Sequence, residues 1–417
     1  MSSRYRWYVV GMLWAISAIN YADRQAIFSV FPLLEKEMHL SPVQLGLLGS
    51  SFAWVYGLSG PFAGLLVDRV RRVSAVLFGL QTWSTICLAT AFSRTFSHLF
   101  LFRAAEGLGE TVYYPASMSL ISDYHGTRTR SRAMGLHQTS VYVGTIAGGF
   151  FAGLIGQHYG WRWSFVVFGG LGVILGLVLR KFLVEPQRGA MEETAPAARL
   201  GMRQTLRLIF GKPTALCLMA AFLCANFVAV VLLAWMPKFL YDRFSMNLAT
   251  AGLAATLFVQ LASMLGAPLG GWLADSLRRK SASGRLAVQA VGVFGGAPFV
   301  ALCGMTDSVA WLLVSLTAWG FLKGLYDANI FASLFDVIPP EARGSAAGFM
   351  NMIGWLGGGG TAPLAIGLIA QRHGLGAAIA LASVVYLLAG TILLIAAAFF
   401  IRRDLGSSGR QPAPAAI

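Results

Sequence analysis

Charge is scarce in this sequence. Only 12% of its 417 residues are Asp, Glu, Lys or Arg, whereas a soluble domain carries about 25%. That shortage excludes a chain wrapped in a hydrated surface. Cysteine is rare too. Cys87, Cys217, Cys224 and Cys303 each fall inside an apolar run, so no disulfide framework is expected. The sequence has no glycine loop of the phosphate-cradling kind, no metal-ligand spacing and no nucleophile triad. No enzyme activity, cofactor or metal is therefore expected, and without a nucleotide site any work must draw on an ion or solute gradient.

What is abundant is apolar sequence, at 56% of residues. A spanning helix needs about 20 mostly apolar residues. About a dozen runs qualify: 8–33, 43–67, 74–93, 98–122, 132–155, 162–183, 213–236, 248–273, 285–305, 309–335, 345–369 and 376–401. The first is expected to stay in place as a signal anchor. An all-α integral membrane protein follows, with twelve transmembrane helices.

The net charge of +15 does not point to nucleic acid, because of where it sits. About 23 Lys and Arg fall on one side of the predicted spans. About 6 fall on the other: Lys36, Arg94, Arg162, Lys238, Arg243 and Arg372. The positive-inside rule then puts both termini on the cytoplasmic side of the inner membrane. Trp161 and Trp163 are expected in an aromatic belt on the far side, and His137 and Gln138 near the cytoplasmic interface.

Residues 184–212 interrupt the apolar pattern and read as a cytoplasmic linker between bundles 1–183 and 213–403, with a disordered tail over 404–417. The two halves repeat. PFAGLLVDRVRR at 61–72 matches PLGGWLADSLRR at 268–279. Gly64, Asp68 and Arg72 thus correspond to Gly271, Asp275 and Arg279, and Arg69 has no basic counterpart. Gly permits close helix approach. Asp suits a helix N-terminus or an arginine partner. Each copy closes the second helix of its half and opens a basic loop, the position of a gate.

This repeated signature, spread over nearly the whole chain, resembles that of the major facilitator superfamily. The resemblance implies two six-helix bundles, a substrate site between them near midplane, and alternating access.

Ionisable residues inside the spans are the remaining feature. Asp23 and Arg24 interrupt the first span, although one such residue at the bilayer centre costs about 2.5–3.5 kcal/mol. Arg103, Glu106 and Glu110, spaced by three and four, share one face of the fourth. That face should turn inward, at a depth where it meets Asp23–Arg24. A buried ion network that only joins helices is one reading, but such networks rarely stabilise relative to apolar packing. The other reading is a site where carboxylates exchange protons beside an arginine-held anion.

Tyr21-Ala-Asp-Arg24, with Arg103, Glu110 and a following proline, is similar to the anion:cation symporter branch. That similarity implies Asp23 and Glu110 as proton-coupling carboxylates and Tyr21, Arg24 and Arg103 as the anion site. It puts Asn351 at a substrate-binding asparagine, and Asn329 joins that group as a neutral polar residue of the tenth span. The spinster-like branch, associated with lysolipids and sphingolipids, shares the same residues together with Gly107-Leu-Gly-Glu110.

Lys323 and Asp327, at i and i+4, form either a self-neutralised pair or a second charge for substrate; Tyr326 and Glu106 belong to the same open group. Tyr113, Tyr114 and Trp355 fit packing or a ligand wall, and the glycines at 357–360 a bending or tightly packed segment. The function expected is proton-coupled symport of a small organic anion by a monomer in the bilayer. Amphipath export and ligand sensing without transport remain alternatives.

Overall fold

The computed structural model describes residues 4–126, 128–187, 191 and 201–406, the side chains of Asp68 and Met202 excepted. It is all helical over those residues. In chain order the helices are α1 (Tyr5–Ser29), α2 (Phe31–Met38), α3 (Pro42–Arg69), α4 (Arg72–Thr90), α5 (Phe96–Glu110), α6 (Tyr113–Tyr124), α7 (Arg130–Tyr159) and α8 (Trp161–Leu179). They continue with α9 (Met202–Phe210), α10 (Pro213–Phe244), α11 (Leu248–Lys280), α12 (Gly284–Met305), α13 (Val309–Val337), α14 (Arg343–Ile353), α15 (Ala362–His373), α16 (Leu375–Ile395) and α17 (Ile401–Gly406).

Ten stretches among the described residues are long and apolar enough to cross a membrane. The first and fourth predicted spans are not among them; these two carry Asp23–Arg24 and Arg103, Glu106 and Glu110. Both are also broken where one helix was expected. The first divides at Val30, next to Pro32 in the opening turn of α2. The fourth divides at Thr111–Val112, directly after Glu110. Pro115 explains that break: it offers no N–H to the carbonyl four residues back, and its ring crowds it.

The chain forms two compact units. One comprises Met1–Ala195, Val231–Leu257 and Gly360–Arg372; the other comprises Pro196–Val230, Phe258–Gly359 and His373–Ile417. In the first, a core of Val9, Leu13, Ile16, Trp83, Tyr113 and Leu120 ties α1, α4 and α6 together. Two glycines set the helix spacing around the charges. A Cβ on Gly148 of α7 would lie 2.2 Å from the Ala22 carbonyl of α1, and one on Gly107 of α5 would lie 2.6 Å from the Phe52 carbonyl of α3. Gly148→Val is therefore expected to push α7 off α1 and abolish binding and transport, read as loss of the folded, monodisperse species in detergent.

In the second unit, Asn329 donates to the carbonyls of Gly270 at 3.0 Å and Leu325 at 2.9 Å, holding α13 against α11. The glycine segment after α14 winds as a widened π-helical turn over Gly354–Gly359. A Cβ on Gly358 would lie 2.4 Å from the Leu223 carbonyl, so close packing explains that glycine.

Helix extends into two segments expected to be irregular. Part of the expected 184–212 linker is the helix α9; residues 188–190 and 192–200 lie outside the described set. The last described helix runs to Gly406, inside the expected tail of 404–417, and residues 407–417 lie outside the described set. Asp404, expected to open that tail, is buried and accepts the Thr214 N–H at 2.8 Å, capping α10.

Candidate functional site

The first unit gathers the charges of α1 and α5 into one cluster. Asp23, Arg24, Arg103, Glu106 and Glu110 are all buried. Arg24 ion-pairs with Glu110 across the two helices, and Arg103 with Glu106 on its own helix. The spacing on α5 makes the second pair local. The first crosses from α1 to α5 and brings the two helices to equal depth at that point.

Aromatic rings complete the setting of Arg24. Its guanidinium lies 4.9 Å from the ring centre of Tyr21, 4.9 Å from Phe52 and 4.7 Å from Tyr56. Arg103 shares the Phe52 ring at 5.0 Å. Desolvated contacts of this kind are worth up to about 2 kcal/mol each, and they hold the cation without consuming its hydrogen-bond donors. Phe52 and Tyr56 sit four apart on α3. In the sequence they read as ordinary apolar content.

Asp23 differs from its neighbours. Neither of its carboxylate oxygens has a hydrogen-bond partner, and one oxygen each of Glu106 and Glu110 is likewise unpartnered. Ligand-capable atoms of Asp23, Glu106 and Cys87 all lie within 4.8 Å of one another, the one such trio among the described residues. Cys87 comes from α4, so no linear spacing reveals it. The cluster brings three carboxylates to two guanidinium groups and has an excess negative charge when all are ionised.

Lys323 and Asp327 form their intrahelical ion pair. The Tyr326 hydroxyl is buried without a partner. Asn329 spends its amide on α11, as described above. Asn351, expected at a substrate contact, lies on an exposed face of α14. The Tyr113 hydroxyl donates to the Leu13 carbonyl at 2.6 Å, so the His137 Nε2–H, 2.9 Å away, donates to it. His137 was expected at the interface and is fully buried, because this pairing draws it under α6. Tyr114 is exposed. Trp163 is 54% exposed, as a belt residue should be, whereas Trp161 is buried and donates to Glu37 at 2.8 Å.

The gate motif is built differently from its sequence reading. A Cβ on Gly64 or Gly271 would meet nothing within 4 Å, so close approach does not explain either glycine. The Asp68 side chain lies outside the described set. Arg72 is buried and pairs with Asp123 and Glu185, while Arg69 is exposed. In the second half the matching role falls to Arg285, which pairs with Asp275 at 2.7 Å and Asp336 at 2.9 Å; Arg279 is exposed. Arg285, Asp336 and Arg343 each follow Arg72, Asp123 and Arg130 by 213 positions. Arg130 and Arg343 even donate to carbonyls five and eight residues back in the same pattern. The offset grows from 207 because α11 runs four residues further past the motif than α3, the loop after it is one residue longer, and Arg285 is the second rather than the first residue of its helix. Arg72→Met strands two carboxylates and should cost about 3–5 kcal/mol, seen as a lowered Tm. Arg69→Met should stay within about 0.5 kcal/mol.

The Major Facilitator Superfamily model matches residues 13–360 and 239–416. The chain belongs to this superfamily. It is a multi-pass membrane transporter and not an enzyme. The probable galactarate/D-glucarate transporter of Escherichia coli is 25% identical over 398 residues, covering 88% of each chain. The hexuronate transporter of Bacillus subtilis is 25% identical over 354 residues, covering 83% of each. Protein spinster of Drosophila melanogaster is 28% identical over 379 residues, covering 88% of this chain and 62% of that one. Both resemblances drawn from the helix motifs thus extend to relatives matched over most of this chain. The fold matches the crystal structure of a bacterial homolog to the human lysosomal transporter spinster, with TM-score 0.82 and 22% identity over 99% of this chain and 100% of that one.

Proposed function

We propose that this superfamily member is a proton-coupled symporter of small organic anions, of which sugar acids are the best-supported class. The observation that supports this reading most is Asp23: a buried carboxylate with no hydrogen-bond partner, beside an Arg24–Glu110 ion pair. One proton balances the cluster, and Asp23 with Glu106 is where it would rest. The substrate carboxylate then competes with Glu110 for Arg24, and the displaced Glu110 needs a proton or a new partner. Anion and proton are thereby bound together, as symport requires. Two guanidinium groups beside Asp23, Cys87 and Glu106 oppose a metal cation there. The sugar-acid names of two relatives support the substrate class.

The coupling residues in this reading are Asp23 and Glu110, with Glu106 as a third carboxylate. Tyr21, Arg24 and Arg103 hold the anion. The halves 1–183 and 213–403 rock about the site, and the protein works as a monomer in the inner membrane with both termini cytoplasmic. Asp275 acts at closure through Arg285. Asp275→Asn, and Asp68→Asn in the first half, are expected to slow turnover while leaving affinity near that of the parent protein. Counterflow rate set against substrate affinity separates the two effects; loss of affinity at an unchanged rate would contradict the gating role.

The likeness to spinster supports a second reading, amphipath export. A thermal-shift screen separates the two. Stabilisation by glucarate or glucuronate, with none by the uncharged sugars or by lysolipids, supports the anion reading. Stabilisation by lysolipid alone supports the other.

A further inference from the structure

The face poorest in basic residues places two of its few arginines in one cavity. Arg94 and Arg162, with Ala91, Phe92, Trp163 and Val166, line a space of about 340 Å³ between the end of α4 and the first turn of α8. Arg162 is fully engaged. It ion-pairs with Glu37, donates to the Ser93 carbonyl at 3.2 Å and lies 4.2 Å from the Trp161 ring. Those contacts balance its charge and fix its position. Arg94 is exposed and has no ion pair or hydrogen bond among the described residues. The cavity therefore carries one uncompensated positive charge. The opening turn of α8 has no side-chain cap, so its free N–H groups add to the positive end.

The cavity is also apolar on its open side. Phe92 is 73% exposed and Trp163 54%. In a transporter these rings stand at the depth of the membrane interface, where Trp anchors among headgroups. A free anion would gain nothing from such walls. A ligand with an anionic head and apolar chains would use both parts.

We infer that this cavity binds the phosphate of an anionic glycerophospholipid from the leaflet opposite the basic face. The phosphate sits between Arg94 and the first turn of α8, and the chains run down over Phe92, Trp163 and Val166. The site is separate from the charge cluster of α1 and α5, and its lipid would brace the α4–α8 edge of the first unit.

Lipid retention tests this on the full-length protein. It is purified in detergent with equimolar phosphatidylglycerol and phosphatidylcholine, and bound lipid is read by native mass spectrometry. Preferential retention of phosphatidylglycerol is expected. Arg94→Gln should reduce it about fivefold, the scale of one basic residue at an anionic membrane surface. Phe92→Ala with Trp163→Ala should reduce it with the charge intact. Counterflow of a sugar acid should persist in Arg94→Gln, which confirms a folded protein. Equal retention of both lipids, unchanged retention in Arg94→Gln, or displacement of the lipid by inorganic phosphate alone overturns the inference.

Discussion

Asp23→Asn abolishes concentrative uptake of a sugar acid driven by a pH gradient, while exchange of labelled for unlabelled substrate across the same membrane continues. The mutation removes the one cluster carboxylate that has no hydrogen-bond partner and leaves both ion pairs in place. Exchange returns the carrier loaded each time and needs no net proton movement. Uptake against a gradient does. Glu110→Gln has a harsher outcome because it also strips Arg24 of its partner; uptake is lost and exchange falls, since Arg24 then holds substrate without a competing carboxylate to release it. The comparison is made in proteoliposomes with an imposed pH gradient. Concentrative uptake at the parent level in Asp23→Asn, Glu110→Gln would remove both residues from the coupling role.

Arg24→Lys loses affinity for a carboxylate substrate by about 1–3 kcal/mol, the worth of a hydrogen bond to a charged group. A guanidinium offers a planar fork that meets both oxygens of a carboxylate, and it lies flat against aromatic faces. An ammonium does neither well. At this position three rings within 5 Å orient the fork, so the loss is larger than charge alone suggests. Arg103→Lys keeps a cation beside Glu106 and is expected to shift the pH dependence of uptake more than affinity. Binding of glucuronate and of its uncharged sugar is measured for both variants. Equal losses for the two ligands in Arg24→Lys would contradict an anion site and favour amphipath export.

Much of this architecture is legible from one-dimensional spacing. The apolar runs mark the helices, and the three-then-four spacing of Arg103, Glu106 and Glu110 marks a charged face. The basic loops and the repeat at 61–72 and 268–279 mark two related halves. What spacing cannot give is which charge meets which. Arg24 pairs with Glu110 because α1 and α5 align at that depth. Tyr56, Phe52 and Cys87 join from helices that carry no local sign of a site. The gate shows the same limit. A fixed offset of 207 selects Arg279, whereas the fold selects Arg285, because a longer α11 and a loop one residue longer move the start of α12.

Proton flux is the most direct measure of the central claim. Proteoliposomes containing the transporter and a trapped pH dye are given a sugar acid from outside, with no imposed gradient and no sodium. The account predicts lumenal acidification that follows substrate entry, is absent with the uncharged sugar, and disappears in Asp23→Asn. Substrate entry at full rate without acidification, or entry that requires sodium, would contradict it.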